Sequence, residues 1–174
     1  MSIDLKNLEI ETQLVQSLEE FEEGESRTVP LVQSTTFNYT NPDTLAELFD
    51  LKKLGYFYSR LSNPTVAAFE NKIAVLEKGV GALAFASGQA AITAAILTIC
   101  KAGDHIVAVS TLYGGTITLL ASTLKNYGIE TTFVNPEASE EEFKAAFREN
   151  TKILYGETLG NPEMNTLDFE KIVK

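Results

Sequence analysis

Cysteine, histidine and arginine are scarce in this chain: one, one and three among 174 residues. A lone Cys100 cannot close an internal disulfide. Its setting in Ala-Ile-Leu-Thr-Ile-Cys reads as a small apolar core residue rather than a reactive thiol, and a reducing, cytoplasmic compartment fits. A single histidine, His105, excludes a histidine-based triad and a multi-histidine metal site, so no metal is expected. Its place at a strand start beside Asp104 points to a structural or surface role. Positive charge is also short, with 14 basic against 24 acidic side chains and a net charge of -10. Such a surface repels a phosphate backbone or an anionic membrane, which argues against nucleic acid as a partner.

A targeting segment and a membrane span are absent too. Asp4, Lys6, Glu9 and Glu11 interrupt the first residues, so the apolar core of a signal peptide is missing. The sequon Asn38-Tyr39-Thr40 has no meaning without secretion. Residues 79–100 and 105–124 carry no charge at about transmembrane length. Ser87-Gly88-Gln89 breaks the first near its middle and Gly114-Gly115 the second, so each divides into a short strand, a turn and a helix. What remains is 44% hydrophobic and 22% charged, the mix of a chain that buries a core, and its length alone suggests one domain.

Leu5, Leu8, Val15 and Leu18 fall at near-helical spacing, and a solvated acidic run of Glu19, Glu20, Glu22, Glu23 and Glu25 follows, together reading as an N-terminal helix or arm. Residues 29–41 are extended and rich in hydroxyls, with a turn signal at Asn41-Pro42, and read as irregular. Asn63 as cap and Pro64 as first helical residue open a helix carrying Val66, Phe69, Ile73 and Leu76, which ends before Gly79. Strands are expected at 82–86, 106–109, 130–134 and 152–155, with helices at 89–101 and 114–126 between them. Ser139 forms a capping box with Glu142 and opens a helix that packs Phe143, Ala146 and Phe147, and a last helix starts at Leu167.

Strand and helix in alternation mean right-handed crossovers: an α/β fold, a mostly parallel sheet with helices on both faces, preceded by the arm. Ligands in such folds bind at the carboxyl ends of the strands. Phe85-Ala86-Ser87-Gly88-Gln89 leaves one strand and opens a helix, which aims the N–H groups of Gly88 and Gln89 above the sheet. That is either an anion site or a tight turn with a serine cap. Thr111-Leu112-Tyr113-Gly114-Gly115-Thr116 sets an aromatic ring between a polar loop and a double glycine, where it would cover a planar ligand or serve as an ordinary tyrosine. Glu157 to Pro162 offers a carboxylate and, in Asn161, an amide. Outside the sheet, Tyr58-Ser59-Arg60 pairs a tyrosine with an arginine suited to phosphate or carboxylate. Gly79-Val80-Gly81-Ala82-Leu83-Ala84 matches a dinucleotide fingerprint in letters, but it leaves a helix and enters a strand, the reverse of what that fingerprint needs.

Together, Tyr58-Ser59-Arg60 with Asn63-Pro64-Thr65, Ser87-Gly88-Gln89-Ala90, Leu112-Tyr113-Gly114-Gly115-Thr116, and Glu157 with Asn161-Pro162 resemble the Cys/Met-metabolism family of pyridoxal-phosphate enzymes. That family includes cystathionine synthases and lyases, methionine gamma-lyase and O-acetylhomoserine sulfhydrylase. The likeness runs from about Thr28 to the end, and the first 25 or so residues match poorly. It implies a large domain of the pyridoxal-phosphate-dependent transferase type (fold type I), here incomplete. In this reading residues 1–62 are a helix and extended arm contacting a neighbouring subunit, and residues 63–174 the N-terminal part of the cofactor-binding domain.

The resemblance implies pyridoxal 5'-phosphate as cofactor, with Gly88 and Gln89 holding its phosphate and Tyr113 stacking on its ring and assisting proton transfer. Tyr58 and Arg60 would bind the phosphate of the neighbouring subunit's cofactor, making a homodimer or homotetramer with shared sites. Glu157 and Asn161 would lie near the ring, Asn161 reaching its phenolic oxygen. Gln89 and Gly115 look more like the sulfhydrylases, since methionine gamma-lyases usually carry methionine and commonly cysteine there. The implied reaction replaces the acetate of O-acetyl-L-homoserine by sulfide or a thiol, in sulfur amino-acid biosynthesis. In the family, the lysine that bonds the cofactor and the aspartate that pairs with its ring nitrogen stand later than residue 174. None of the 11 lysines here has the strand-end, hydroxyl-flanked setting that such a lysine needs, so an N-terminal piece of a longer enzyme, inactive alone, is expected. Alternatives are a methionine or cystathionine gamma-lyase of the same family, or a non-catalytic truncated domain that dimerises and binds phosphate.

Overall fold

The computed structural model describes residues 8–15, 24 and 26–172. Leu5, Leu18, the whole acidic run and Lys174 lie outside the described residues. The chain forms two compact units, Met1–Ala84 and Phe85–Lys174.

In the first unit, α1 (Ile10–Val15) packs on α3 (Pro64–Leu76), and α2 (Pro42–Phe49) lies between them in sequence. Both α2 and α3 begin with the same signal: an asparagine whose side chain accepts from the N–H two residues on, then a proline at the first helical position. Asn41-Pro42 is therefore a helix start and not only a turn, a signal identical to the one at Asn63-Pro64. Residues 29–41 are irregular as expected, apart from an isolated antiparallel bridge from Thr36 to Tyr58.

The expected strand at 82–86 does not form. Exposure alternates along it as in a strand, with Leu83 at 71%, but a strand needs a lateral partner and none lies beside it among the described residues. The N–H of Ala84 goes instead to the Glu70 carboxylate on α3, at 2.7 Å.

The second unit is built on three parallel strands in the order β2-β1-β3: β1 (His105–Val109), β2 (Glu130–Val134) and β3 (Thr151–Tyr155). Every residue of β1 is buried, so both faces of the sheet are covered, as parallel sheets require. Its apolar residues from Ile106 to Val109 meet Ile96 of α4 (Gly88–Ile99), Leu120 and Leu124 from the helix after β1, and Phe143 of α7 (Glu140–Ala146). That helix is α5 (Gly114–Thr118), a π-helical turn (Leu119–Thr123) and α6 (Leu124–Asn126) in succession, where periodicity predicts one uniform helix. The capping box at Ser139 and Glu142 is present and opens α7 (Glu140–Ala146). Phe143 is buried there, but Phe147 is 46% exposed, because the helix ends at Ala146 and Phe147 adopts extended backbone. A last helix, α8, spans Phe169–Ile172.

At the amino end of the sheet His105 is fully buried, its Nδ1 2.8 Å from Thr151 Oγ1 and its Nε2 2.8 Å from Thr132 Oγ1. One ring thus ties β1 to both neighbours, and the surface role left open by the sequence is excluded. Cys100 is buried, and burial with the nearby Asp104 pushes its thiol up, which suits an inert core residue.

Candidate functional site at the carboxyl ends of the strands

Three loops meet at the carboxyl end of the sheet. The loop into α4 holds Ser87, whose Oγ accepts the N–H of Ala90 at 3.2 Å, while its carbonyl accepts the N–H of Ala91. The N–H groups of Gly88 and Gln89 have no acceptor among the described residues, and a Cβ on Gly88 would meet nothing within 4 Å. Two free amides at the positive end of a 12-residue helix, facing open space, form an anion cradle.

The loop after β1 carries Tyr113, 53% exposed, as the N-cap of α5. A Cβ on Gly115 would lie 2.5 Å from Tyr113 Cε1, so the ring rests on the glycine and would shift for a larger residue there. Glu157, from the loop after β3, accepts the N–H of Tyr113 on both carboxylate oxygens, at 3.1 and 3.3 Å. Its carboxylate fixes the backbone that presents the ring. Asn161 is exposed and bonds Thr111 by its backbone, at 3.4 Å. Gly160 is wedged beneath: a Cβ would lie 2.0 Å from Asn165 Oδ1 and 2.9 Å from Thr111 Oγ1.

Sequence reasoning missed two residues of this end. Thr116 is fully buried, and its Oγ1 accepts from Gln89 Nε2 at 3.0 Å. Tyr155, half-buried at the end of β3, has its phenol pushed up by burial and by the Glu157 carboxylate, with a hydrogen bond from Thr116 acting the other way. No local pattern marks a threonine one position beyond a double glycine, so only the fold reveals its burial.

Tyr58 and Arg60 belong to the first unit, with the guanidinium carbon 5.4 Å from the tyrosine ring centroid. A clasp holds them. Ser59 donates its N–H to Thr35 O and its hydroxyl to Ser34 O, and the buried Asn63 donates to Val32 O and Ser59 Oγ at 3.0 and 2.9 Å. Lys52, Lys72, Lys144 and Lys171 are engaged elsewhere, with Asp50, Gln13 O, Glu140 and Pro136 O respectively. Among the described residues no group of three or more His, Cys, Asp or Glu could hold a metal, and no helix is long and apolar enough to cross a membrane.

The carboxyl end of the parallel sheet thus brings together two unpaired backbone amides and an exposed tyrosine. The family described as Cys/Met metabolism PLP-dependent enzyme matches residues 11–174, starting well before Thr28. The chain belongs to that family of pyridoxal-phosphate enzymes. It is 48% identical over 149 residues to an O-acetyl-L-homoserine sulfhydrylase of Corynebacterium glutamicum, covering 86% of this chain and 34% of the relative. An L-methionine gamma-lyase of Fusobacterium nucleatum is 42% identical over 146 residues, 84% of this chain and 37% of the relative. A solved O-acetylhomoserine (thiol)-lyase of Campylobacter jejuni, carrying a pyridoxyl-lysine monophosphate, superposes with a TM-score of 0.87 at 36% identity, over 95% of this chain and 41% of that one. The chain thus spans about a third of the length of the curated relatives it matches. The residues present fit the family's cofactor: two free amides suit a phosphate, and a flat, half-exposed ring suits a pyridine.

Proposed function

We propose that the protein containing this chain is a pyridoxal-phosphate-dependent transferase that replaces the acetate of O-acetyl-L-homoserine by sulfide or a thiol, giving homocysteine or methionine. The anion cradle beside the Tyr113 ring carries the cofactor reading, and 48% identity to an O-acetyl-L-homoserine sulfhydrylase supports the substrate. Bound pyridoxal phosphate supplies the electron sink that lets a proton leave the amino acid's alpha carbon. This chain's residues bind and orient. Gly88 and Gln89 hold the phosphate through backbone N–H groups, and the Ser87 hydroxyl, an acceptor for Ala90, keeps its own proton to donate. Tyr113 covers the ring, and its hydroxyl moves a proton to the departing acetate. Glu157 holds Tyr113 in place through its N–H, and Asn161 lies near the phenolic side of the ring.

Tyr58 and Arg60, on the arm of residues 1–62, reach the cofactor phosphate of a neighbouring subunit, so the active form is a homodimer or homotetramer with shared sites. Residues 63–174 make the N-terminal part of the cofactor domain. The cofactor-bonding lysine comes from elsewhere in the complete protein, which works in the cytoplasm. A second reading, gamma-elimination from methionine or cystathionine, has support in the 42% identity to a methionine gamma-lyase. Assaying the complete protein for sulfide-dependent homocysteine formation and for methanethiol release from methionine separates the two. Methanethiol alone overturns the transferase reading.

A further inference from the structure

We infer that Thr116 is a positioning residue: its buried hydroxyl is a strut between the phosphate cradle on α4 and the turn that presents Tyr113 on α5. The inference rests on the cofactor reading above and adds a residue to it. Cradle and ring stand on separate helices, and a cofactor that touches both needs their spacing held. Among the described residues the bond from Gln89 Nε2 to Thr116 Oγ1 is the only hydrogen bond joining α4 to α5, across 27 positions of sequence. One end is the side chain of the residue whose backbone N–H faces the anion site. The other belongs to a fully buried residue whose own N–H closes the first turn onto Tyr113 O at 2.8 Å.

Gln89 is itself anchored, its carbonyl accepting from Thr93 Oγ1 at 2.7 Å, so its side chain swings from a fixed backbone. Long flexible side chains cost rotamer entropy to order, and a bond to a buried hydroxyl pins this one. Removing the hydroxyl leaves the Gln89 amide to seek water. The α4 terminus and the Tyr113 turn are then free to drift apart. Size changes little in Thr116→Val, which puts a methyl group where the hydroxyl was and so removes its hydrogen bonds.

The test uses Thr116→Val, Thr116→Ser, Gln89→Met and the double variant in the complete protein, with pyridoxal phosphate titrated into the apoprotein. Loss of one neutral hydrogen bond predicts about 3- to 10-fold weaker cofactor binding for Gln89→Met and at least that for Thr116→Val, with Thr116→Ser within about twofold of wild type. The double variant binds no more weakly than Thr116→Val, which also loses the bond its hydroxyl gives Tyr155, because the bond shared with Gln89 cannot be lost twice. Effects that multiply, or a Thr116→Val that binds like wild type, overturn the inference. Should Thr116→Val not fold, Gln89→Met with the same titration decides it from the more exposed end. Wild-type protein that takes up no pyridoxal phosphate sinks the functional reading instead. The strut is then judged in ligand-free protein by amide exchange at Ala90 and Tyr113, which Thr116→Val accelerates if the strut is real and leaves unchanged if it is not.

Discussion

Acidification should weaken this fold through His105, the only histidine in the chain, in a way its geometry makes quantitative. The ring is fully buried and bonded on both nitrogens to threonine hydroxyls. Each hydroxyl already accepts from Arg148: Thr151 Oγ1 from its backbone N–H at 2.8 Å, Thr132 Oγ1 from Nη2 at 3.2 Å. A neutral imidazole fits either way round, since one threonine donates to the bare nitrogen while the other accepts from the N–H. An imidazolium needs both threonines to accept, leaving two hydroxyl protons without a direction to point, and it buries a charge. Burial first, then the Arg148 charge, hold the imidazole below its ordinary value, with Glu130 opposing.

The sign follows from proton counting. Below about pH 6.5 the unfolded chain binds a proton at His105 and the folded chain does not, so stability falls as pH drops, down to the folded value. One proton limits the slope to about 1.4 kcal/mol per pH unit, and because the unfolded imidazole is half protonated at about pH 6.5, a drop to pH 5.5 costs at most about 1 kcal/mol. Urea unfolding across this range measures it, with His105→Gln as reference, because glutamine keeps hydrogen-bonding capacity without titrating there. Carboxylates contribute alike to both proteins and cancel in the difference. Equal pH slopes for wild type and His105→Gln between pH 6.5 and 5.5 would refute the reasoning.

Two further predictions test the strand-end loops. Glu157→Ala removes a charge-assisted acceptor worth about 1.5–3 kcal/mol, so exchange of the Tyr113 amide accelerates by about 10- to 100-fold, and Glu157→Gln falls between. An unchanged Tyr113 amide in Glu157→Ala would show that the carboxylate does not hold that turn. Gly160→Ala forces Asn165 and Thr111 apart and destabilises by about 1–3 kcal/mol, read as a lower urea midpoint, and a midpoint equal to wild type contradicts the tight packing seen there.

Much of the second unit was legible because its signals are local. The Ser139 and Glu142 box, the turn at Ser87-Gly88 and the uncharged run through β1 each declare an element within a few residues. Residues 82–86 show the limit of that logic. Their alternation is strand-like, but a strand is completed by a neighbour, and local pattern does not say whether one is present. Asn41-Pro42 carries the same asparagine-cap and first-position proline as Asn63-Pro64, and it opens a helix of eight residues.

Sequence alone determined the alternation of strand and helix from β1 onward, the placing of Gly88 and Gln89 at a helix start and of Tyr113 in a strand-end loop, and the family likeness, since each follows from residue type and spacing along the chain. Tertiary structure decided which atoms those residues use. Glu157 spends its carboxylate on the Tyr113 backbone, the Gln89 side chain turns to a buried hydroxyl, and His105 locks three strands at the opposite end. Those partners lie 44, 27 and up to 46 residues away. Bonds of that span are set by how the sheet orders its strands, which no window of sequence contains.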